Sequence, residues 1–250
     1  MPWVVVIVFC IAFVFSMLGL GGSTLYVPIL YWFGHDLKSV AIPTALFING
    51  VTALSAFSYY FRAKLVDVRG GAPMIVTAFL GAMTGSWFTE KIPTQLLLIL
   101  FSLALAATGL KMFASANSKK RKPMMPVRQR MIVTGVGGFF IGAIAGMLGV
   151  GGGFLVVTLL VAVGYPMKTA AATTTFVVIF SSFSGFLGHM AQGNFDIPLL
   201  IWTSAAVVIA SQIGARVMNK KMDPKWLRRL LGIVLFGMAL ELFFGFIFGG

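Results

Sequence analysis

Acidic side chains are scarce in this sequence: six Asp plus Glu stand against nineteen Lys plus Arg in 250 residues, and charged residues of both signs make up only 10%. Soluble domains carry about 25%, so the chain is not one of them. There is a single cysteine, Cys10, which excludes a disulfide framework and any multi-cysteine zinc or iron–sulfur site. It lies in an apolar run and reads as a packed small hydrophobe. What the chain has instead is apolar surface, 59% hydrophobic residues and a mean hydropathy of +0.98, the composition of a protein that lives in lipid. A net charge of +13 would suggest nucleic acid in a soluble protein. Here the cations sit in short stretches between apolar runs, so they report membrane topology and give no nucleic-acid surface. The start Met1-Pro2-Trp3 has no basic region and no small-x-small cleavage site, and reads as mature structure.

Eight apolar stretches follow one another. Six are of about the ~20 residues that a helix needs to cross the hydrocarbon. The first, Trp3 to Phe33, and the fifth, Met131 to Gly164, are longer, and each is interrupted by glycines: Gly19-Leu20-Gly21-Gly22 and Gly149-Val150-Gly151-Gly152-Gly153. These two match each other. Met17 to Leu30 laid on Met147 to Leu160 gives eight identities in fourteen positions at an offset of 130, where unrelated apolar segments give about one or two. The register continues through Lys38 on Lys168, Ala41 on Ala171 and Thr44 on Thr174, then Asp67 on Asp196 and Gly85 on Gly214 after a one-residue slip. The chain therefore reads as an internal duplication, with a first repeat over 1–113, a basic linker over 114–130 and a second repeat over 131–250.

Cytoplasmic loops collect Lys and Arg, and this orients the halves. If each glycine-broken segment crosses once, the cations divide 10 to 9 between the two sides, which is no bias. If each is a hairpin with its glycines at the tip, 17 fall on the linker side and only Lys38 and Lys91 on the other. The hairpin arrangement makes the two repeats inverted, as in many secondary transporters. The expected fold is an all-α polytopic membrane protein of two inverted repeats, each a glycine-broken helical hairpin plus three transmembrane helices. The linker is then cytoplasmic and both termini are outside.

Irregular backbone at membrane depth must be buried in protein or line a cavity. Helices starting just after the glycines would turn first-turn N–H groups and positive dipole ends toward a ligand, which suits an anion. The candidate substrate residues are Gly21, Gly22, Ser23, Thr24, Thr44 and Asn49 in the first half, and Gly151, Gly152, Gly153, Thr174 and Thr175 in the second. The competing readings are close helix packing for the glycines, as for Gly138, Gly142 and Gly146, and back-bonding to the preceding turn for the threonines. Asn49 and Gln212 bond another helix or the ligand. Five of the six acids fall in loops or at helix ends, Asp67 and Asp196 as N-caps, and only Glu241 lies within a span. That argues against a carboxylate relay and a cationic substrate. His35, His189 and Arg216 read as interfacial. An intramembrane hydrolase using Ser23 with one of the histidines is the enzyme alternative, though the chain has no GxSxG elbow.

The repeated MLGLGG and MLGVGGG signatures, Tyr26-Val27-Pro28 after the first, the Lys38-x-x-Ala41 and Lys168-x-x-Ala171 helix starts and the basic linker resemble the TauE/SafE family of membrane proteins, over nearly the whole chain. The resemblance implies a secondary carrier of the bacterial inner membrane that exports sulfite, sulfoacetate or related organosulfonates. On this sequence its signature glycines are Gly19, Gly21, Gly22, Gly149, Gly151 and Gly152, with Ser23 where the second half has Gly153. No cofactor, metal or catalytic residue is implied. The expected partners are a small anion and the bilayer. Proton or sodium coupling, a channel instead of a carrier, and homodimerisation through small-residue faces (Ala12 with Ser16, Gly81 with Gly85) stay open at this point.

Overall fold

A computed structural model describes residues 2–93, 124–190 and 195–223, and scattered positions within 96–110 and 225–240. Its described elements are helical: α1 Pro2–Leu18, α2 Ser23–Trp32, α3 Ile42–Arg62, α4 Val68–Phe88, α5 Val127–Leu148, α6 Gly153–Ala162, α7 Met167–His189 and α8 Ile197–Lys221. Among the described residues, four segments, Leu37–Arg62, Val127–Leu148, Met167–His189 and Ile197–Lys221, have the length and apolarity to cross a membrane. Glu241 and most of the stretches from Thr94 to Phe113 and from Trp226 to Phe248 lie outside the described residues.

The element boundaries follow local chemistry. Asp67 accepts the Gly70 N–H at 2.9 Å and starts α4; Asp196 accepts the Leu199 N–H at 3.0 Å and starts α8. Both are the expected N-caps. Helices α1 and α5 end at Leu18 and Leu148, each followed by a glycine at φ +73°, the left-handed residue that closes a helix at its C-terminus. The Val150 N–H returns to the Ala145 carbonyl and the Leu20 N–H to Phe15. Ten-residue α2 and α6 begin 130 positions apart. Thus the sequence repeat is also a repeat of helix ends.

Before α3 the chain makes one wider turn, Leu37–Ala41, with the Ala41 N–H reaching the Asp36 carbonyl at 2.9 Å. Asp36 caps this turn by accepting from Ser39 N at 2.9 Å and Ser39 Oγ at 2.7 Å, and these bonds, the backbone one foremost, hold its carboxyl below the usual carboxylate range. A depressed pKa contributes stability that is present above the unfolded value and lost as pH falls through the folded one. Asp36→Ala is therefore expected to lower the unfolding temperature by about 2 °C at pH 7. Thermal melts against pH should show the gap to wild type closing below about pH 4.

The helices pack reciprocally: α1 against α8, α5 against α4, α3 against α8, α4 against α7, and α3 against α7 at the centre. The α3–α7 contacts run Leu46 on Gly185, Gly50 on Phe183 and Phe57 on Phe176. Numbers rise along one helix as they fall along the other, so these helices, which occupy equivalent places in the two repeats, are antiparallel. Between α4 and α5 the register is Gly138 on Met74, Gly142 on Ala78 and Gly146 on Ala82, and the two run parallel. The packing role expected for those three glycines is what the structure shows. Gly81 and Gly85 likewise meet Phe139 and Ala143, and Gly214 meets Ser16. The small-residue faces that could have served a dimer are used inside the protomer.

The second glycine-broken segment folds back on itself. Where α5 begins, the Met125 N–H donates to the Val163 carbonyl just past the end of α6, at 3.1 Å, and the Arg130 guanidinium lies 5.2 Å from the centre of the Tyr165 ring. The two arms therefore start and finish together, with the glycines at the far end. The arms are unequal: 22 residues in α5 and 10 in α6, or about 33 and 15 Å at 1.5 Å per residue.

Two expectations are corrected here. Cys10 is exposed, because it shares an outward stripe of α1 with Trp3 and Val6, which are also exposed. His189 is buried, its Nε2 3.1 Å from the Gly146 carbonyl. Gly185 of α7 packs against the Gly146 Cα, which brings α5 near enough to enclose the end of α7.

Candidate functional site

The glycine breaks lie next to each other in the interior. A methyl group built on Gly153 would sit 2.5 Å from the Leu20 carbonyl oxygen, so the start of α6 rests directly on the first break. Gly22 and Gly152, the residues before α2 and α6, have φ of +125° and +70°, conformations that an L side chain adopts only with strain. Residues 18 to 24 and 148 to 154 are buried without exception. Their side chains are apolar or hydroxylic, with no fixed charge among them.

Asn49, in the middle of α3, stands between the two breaks. Its Oδ1 accepts the Ser23 N–H at 2.9 Å, and its Nδ2 donates to Ser182 Oγ of α7 at 2.7 Å. The neighbouring Ser181 Oγ donates to the Gly151 carbonyl at 2.9 Å. Side-chain methyls on Gly21 and Gly151 would both collide with the Asn49 amide. The first break is further held by the Tyr26 hydroxyl, which donates to the Gly21 carbonyl at 3.3 Å. One consequence differs from the sequence reading: the Ser23 N–H at the start of α2 is already occupied, by a side-chain oxygen.

Among the described residues five buried side-chain polar atoms have no hydrogen-bond partner, and three of them are Ser23 Oγ, Thr44 Oγ1 and Thr174 Oγ1. All three were singled out by sequence, and the two threonines occupy equivalent positions. An unsatisfied buried hydroxyl costs about 1–3 kcal/mol, so each of the three calls for an explanation. Thr44 lies two residues beyond Ile42, which packs on Gly149; Thr174 lies three beyond Ala171, whose carbonyl packs on Gly19. Each threonine is thus within a helical turn of a contact with the other half's break.

The remaining candidates divide. Thr24, Gly21, Gly22, Gly151, Gly152 and Gly153 are buried in the breaks and the first turns after them. Thr175 bonds back to the Ala172 carbonyl at 2.7 Å, the ordinary helical habit. Gln212 bonds another helix, reaching the Ser55 carbonyl at 2.6 Å and Ser58 Oγ at 2.9 Å. Because Ser23 Oγ has no partner, no histidine is within hydrogen-bond reach, and the hydrolase arrangement is not formed. Sequence reasoning missed Ser181 and Ser182. Two adjacent hydroxyls inside the apolar run of α7 were the available signal, since polar groups at membrane depth need partners.

Away from the breaks, a second polar cluster joins the halves at the end where α4 and α7 begin. Asp67 accepts from the Tyr165 hydroxyl at 2.8 Å, and the Asp67 N–H donates to Thr173 Oγ1 at 3.0 Å. Burial raises the Tyr165 pKa well above the ordinary phenol value, and Asp67 raises it further by hydrogen bond and charge.

The two glycine breaks thus meet at a buried, uncharged point where the Ser23 hydroxyl has no partner. Comparison with known proteins gives the family. The family model described as sulfite exporter TauE/SafE matches residues 4–242. A probable membrane transporter protein of Methanocaldococcus jannaschii is 26% identical over 257 residues, covering 96% of this chain and 94% of that protein. The probable membrane transporter protein YunE of Bacillus subtilis is 26% identical over 264 residues, covering 93% of each. A plant relative, sulfite exporter TauE/SafE family protein 3 of Arabidopsis thaliana, is 30% identical over 83 residues, 33% of this chain and 17% of its own. No solved structure matches. With a family match that spans both repeats and a multi-pass helical architecture to carry it, the chain belongs to the TauE/SafE family of membrane transporters.

Proposed function

We propose that the protein is a secondary transporter that exports a small sulfur-containing anion, such as sulfite, sulfoacetate or a related organosulfonate, by alternating access. The anion binds between the two glycine breaks. The observation that carries this reading is the buried, unpartnered Ser23 hydroxyl at two adjoining helix starts, with the equally unpartnered Thr44 and Thr174 each within a helical turn of a contact with the other half's break. Oxyanions accept hydrogen bonds, helix N-termini favour negative charge, and neutral donors let the ligand leave again.

The inverted-repeat arrangement is part of the proposal. It is supported by the antiparallel crossing of α3 and α7, by the exchange in which each repeat's broken helix packs on the last described helix of the other, and by the folded-back second segment. The charge distribution supports a cytoplasmic linker with both termini outside. Rocking of one repeat against the other about the breaks would expose the site to each side in turn. The site residues name no coupling ion; proton and sodium gradients are the two candidates.

The test is uptake into proteoliposomes of sulfite, sulfoacetate, sulfate and chloride, with and without a pH or sodium gradient. Saturable flux of sulfite or sulfoacetate, well above that of chloride, is expected. Flux linear in substrate would make the protein a channel, and flux of chloride alone would remove the sulfur-anion assignment.

A further inference from the structure

A backbone N–H can only donate, so the atom that faces Ser23 N at 2.9 Å must be the oxygen of the Asn49 amide, and its nitrogen is the atom that donates to Ser182. This fixes the orientation of the amide by chemistry. The oxygen carries partial negative charge and sits at the N-terminus of ten-residue α2, the location where first-turn N–H groups and the helix dipole favour an anion. Beside it Ser23 Oγ is fully buried and has no partner. A donor pair made of one backbone N–H and one hydroxyl is therefore half filled by a neutral oxygen and half unfilled.

We infer, resting on the anion-site reading above, that Asn49 is a resident stand-in for the substrate: its Oδ1 occupies the first N–H of α2 in the empty protein, and an incoming oxyanion must displace it to bind. The substituting oxygen brings a full charge, so the exchange replaces a neutral hydrogen bond by a charge-assisted one, roughly twice as strong. Displacement frees the amide from the first break while Ser182 retains it on α7, so the contact linking the two halves changes when substrate arrives. The second half has no such device. The position equivalent to Asn49 is Ile179, whose side chain cannot accept a hydrogen bond.

The experiment measures sulfite and sulfoacetate affinity of the purified full-length protein in nanodiscs, from the anion-dependent rise in unfolding temperature. Removing the competitor in Asn49→Ala is expected to tighten sulfite binding on the order of five-fold, because the cost of vacating the site disappears. Asn49→Asp is expected to fold and to lose the sulfite response, a carboxylate now holding the N-terminus. Ser182→Ala, which unties the other end of the amide, is expected to tighten binding by about two-fold. Weaker binding in Asn49→Ala would make Asn49 a direct ligand, and unchanged binding would make it a brace between the breaks; either overturns displacement. If Asn49→Ala does not fold, an unchanged sulfite response in both Asn49→Asp and Ser182→Ala overturns it equally. Should wild type respond, and Ser23→Ala abolish the response while the Asn49 variants leave it intact, the anion site stands and displacement alone falls. No response to either anion in wild type overturns the site itself.

Discussion

Valine at Gly22 or at Gly152 is expected to reduce sulfite flux to that of protein-free vesicles, a loss of about 100-fold or more, while the chain still inserts in the membrane and runs as a folded species on size exclusion. Both glycines have left-handed φ values, +125° and +70°, where a β-branched residue is an outlier. Relief of the strain would re-aim the start of α2 or α6. Insertion depends on apolar length, which the substitution does not change. Proteoliposome flux and membrane yield, measured on the same preparations, separate the two effects. Near-normal flux in both variants would remove the glycine breaks from the transport mechanism. Gly153→Ala tests spacing without the conformational penalty, since Gly153 is an ordinary helical residue. Its methyl would press on the Leu20 backbone, which yields less easily than a flexible side chain, and a similar loss of flux is expected.

Thr44→Val and Thr174→Val should separate stability from transport in an unusual direction. A structural threonine replaced by valine loses a hydrogen bond and the protein weakens. Here each hydroxyl is buried with no partner, so the isosteric methyl removes a desolvation penalty of about 1–3 kcal/mol. The unfolding temperature is expected to rise by about 2–4 °C per kcal/mol recovered, and sulfite flux to fall by about ten- to a hundred-fold as a ligand donor is lost. Thr203→Val is the control. Its hydroxyl bonds the Leu199 carbonyl at 2.6 Å, and it should leave flux unchanged without any gain in stability. A Thr44 or Thr174 variant that is more stable and transports normally would show those hydroxyls to be packing defects.

The features legible in sequence were those encoded within a few residues. Glycines at Gly19 and Gly149 end their helices by left-handed geometry, Asp67 and Asp196 cap theirs through a side chain three residues from its donor, and the duplication carried each signal twice. The same duplication picked out Thr44 and Thr174. The site's cross-connections were not legible, because they join residues far apart: Asn49 to Ser182 across 133 positions, and the Gly146 carbonyl to His189 across 43. No local pattern marks such pairs. Cys10 was misread for a related reason. Its apolar run has no polar face to reveal which side of α1 meets lipid, so burial there is decided by the neighbours that α1 packs against.

The hydrogen bond from Tyr165 to Asp67 has no twin at the opposite end of the molecule. The positions related to that pair by the duplication are His35 and Asp196, and among the described residues no bond joins them. A clasp between the halves therefore holds one of these two related places and, among the described residues, not the other. Prising the halves apart there breaks a bond to a carboxylate, worth about 1.5–3 kcal/mol. In the alternating-access carrier proposed above, that bond weights the resting state against opening at the Tyr165 end.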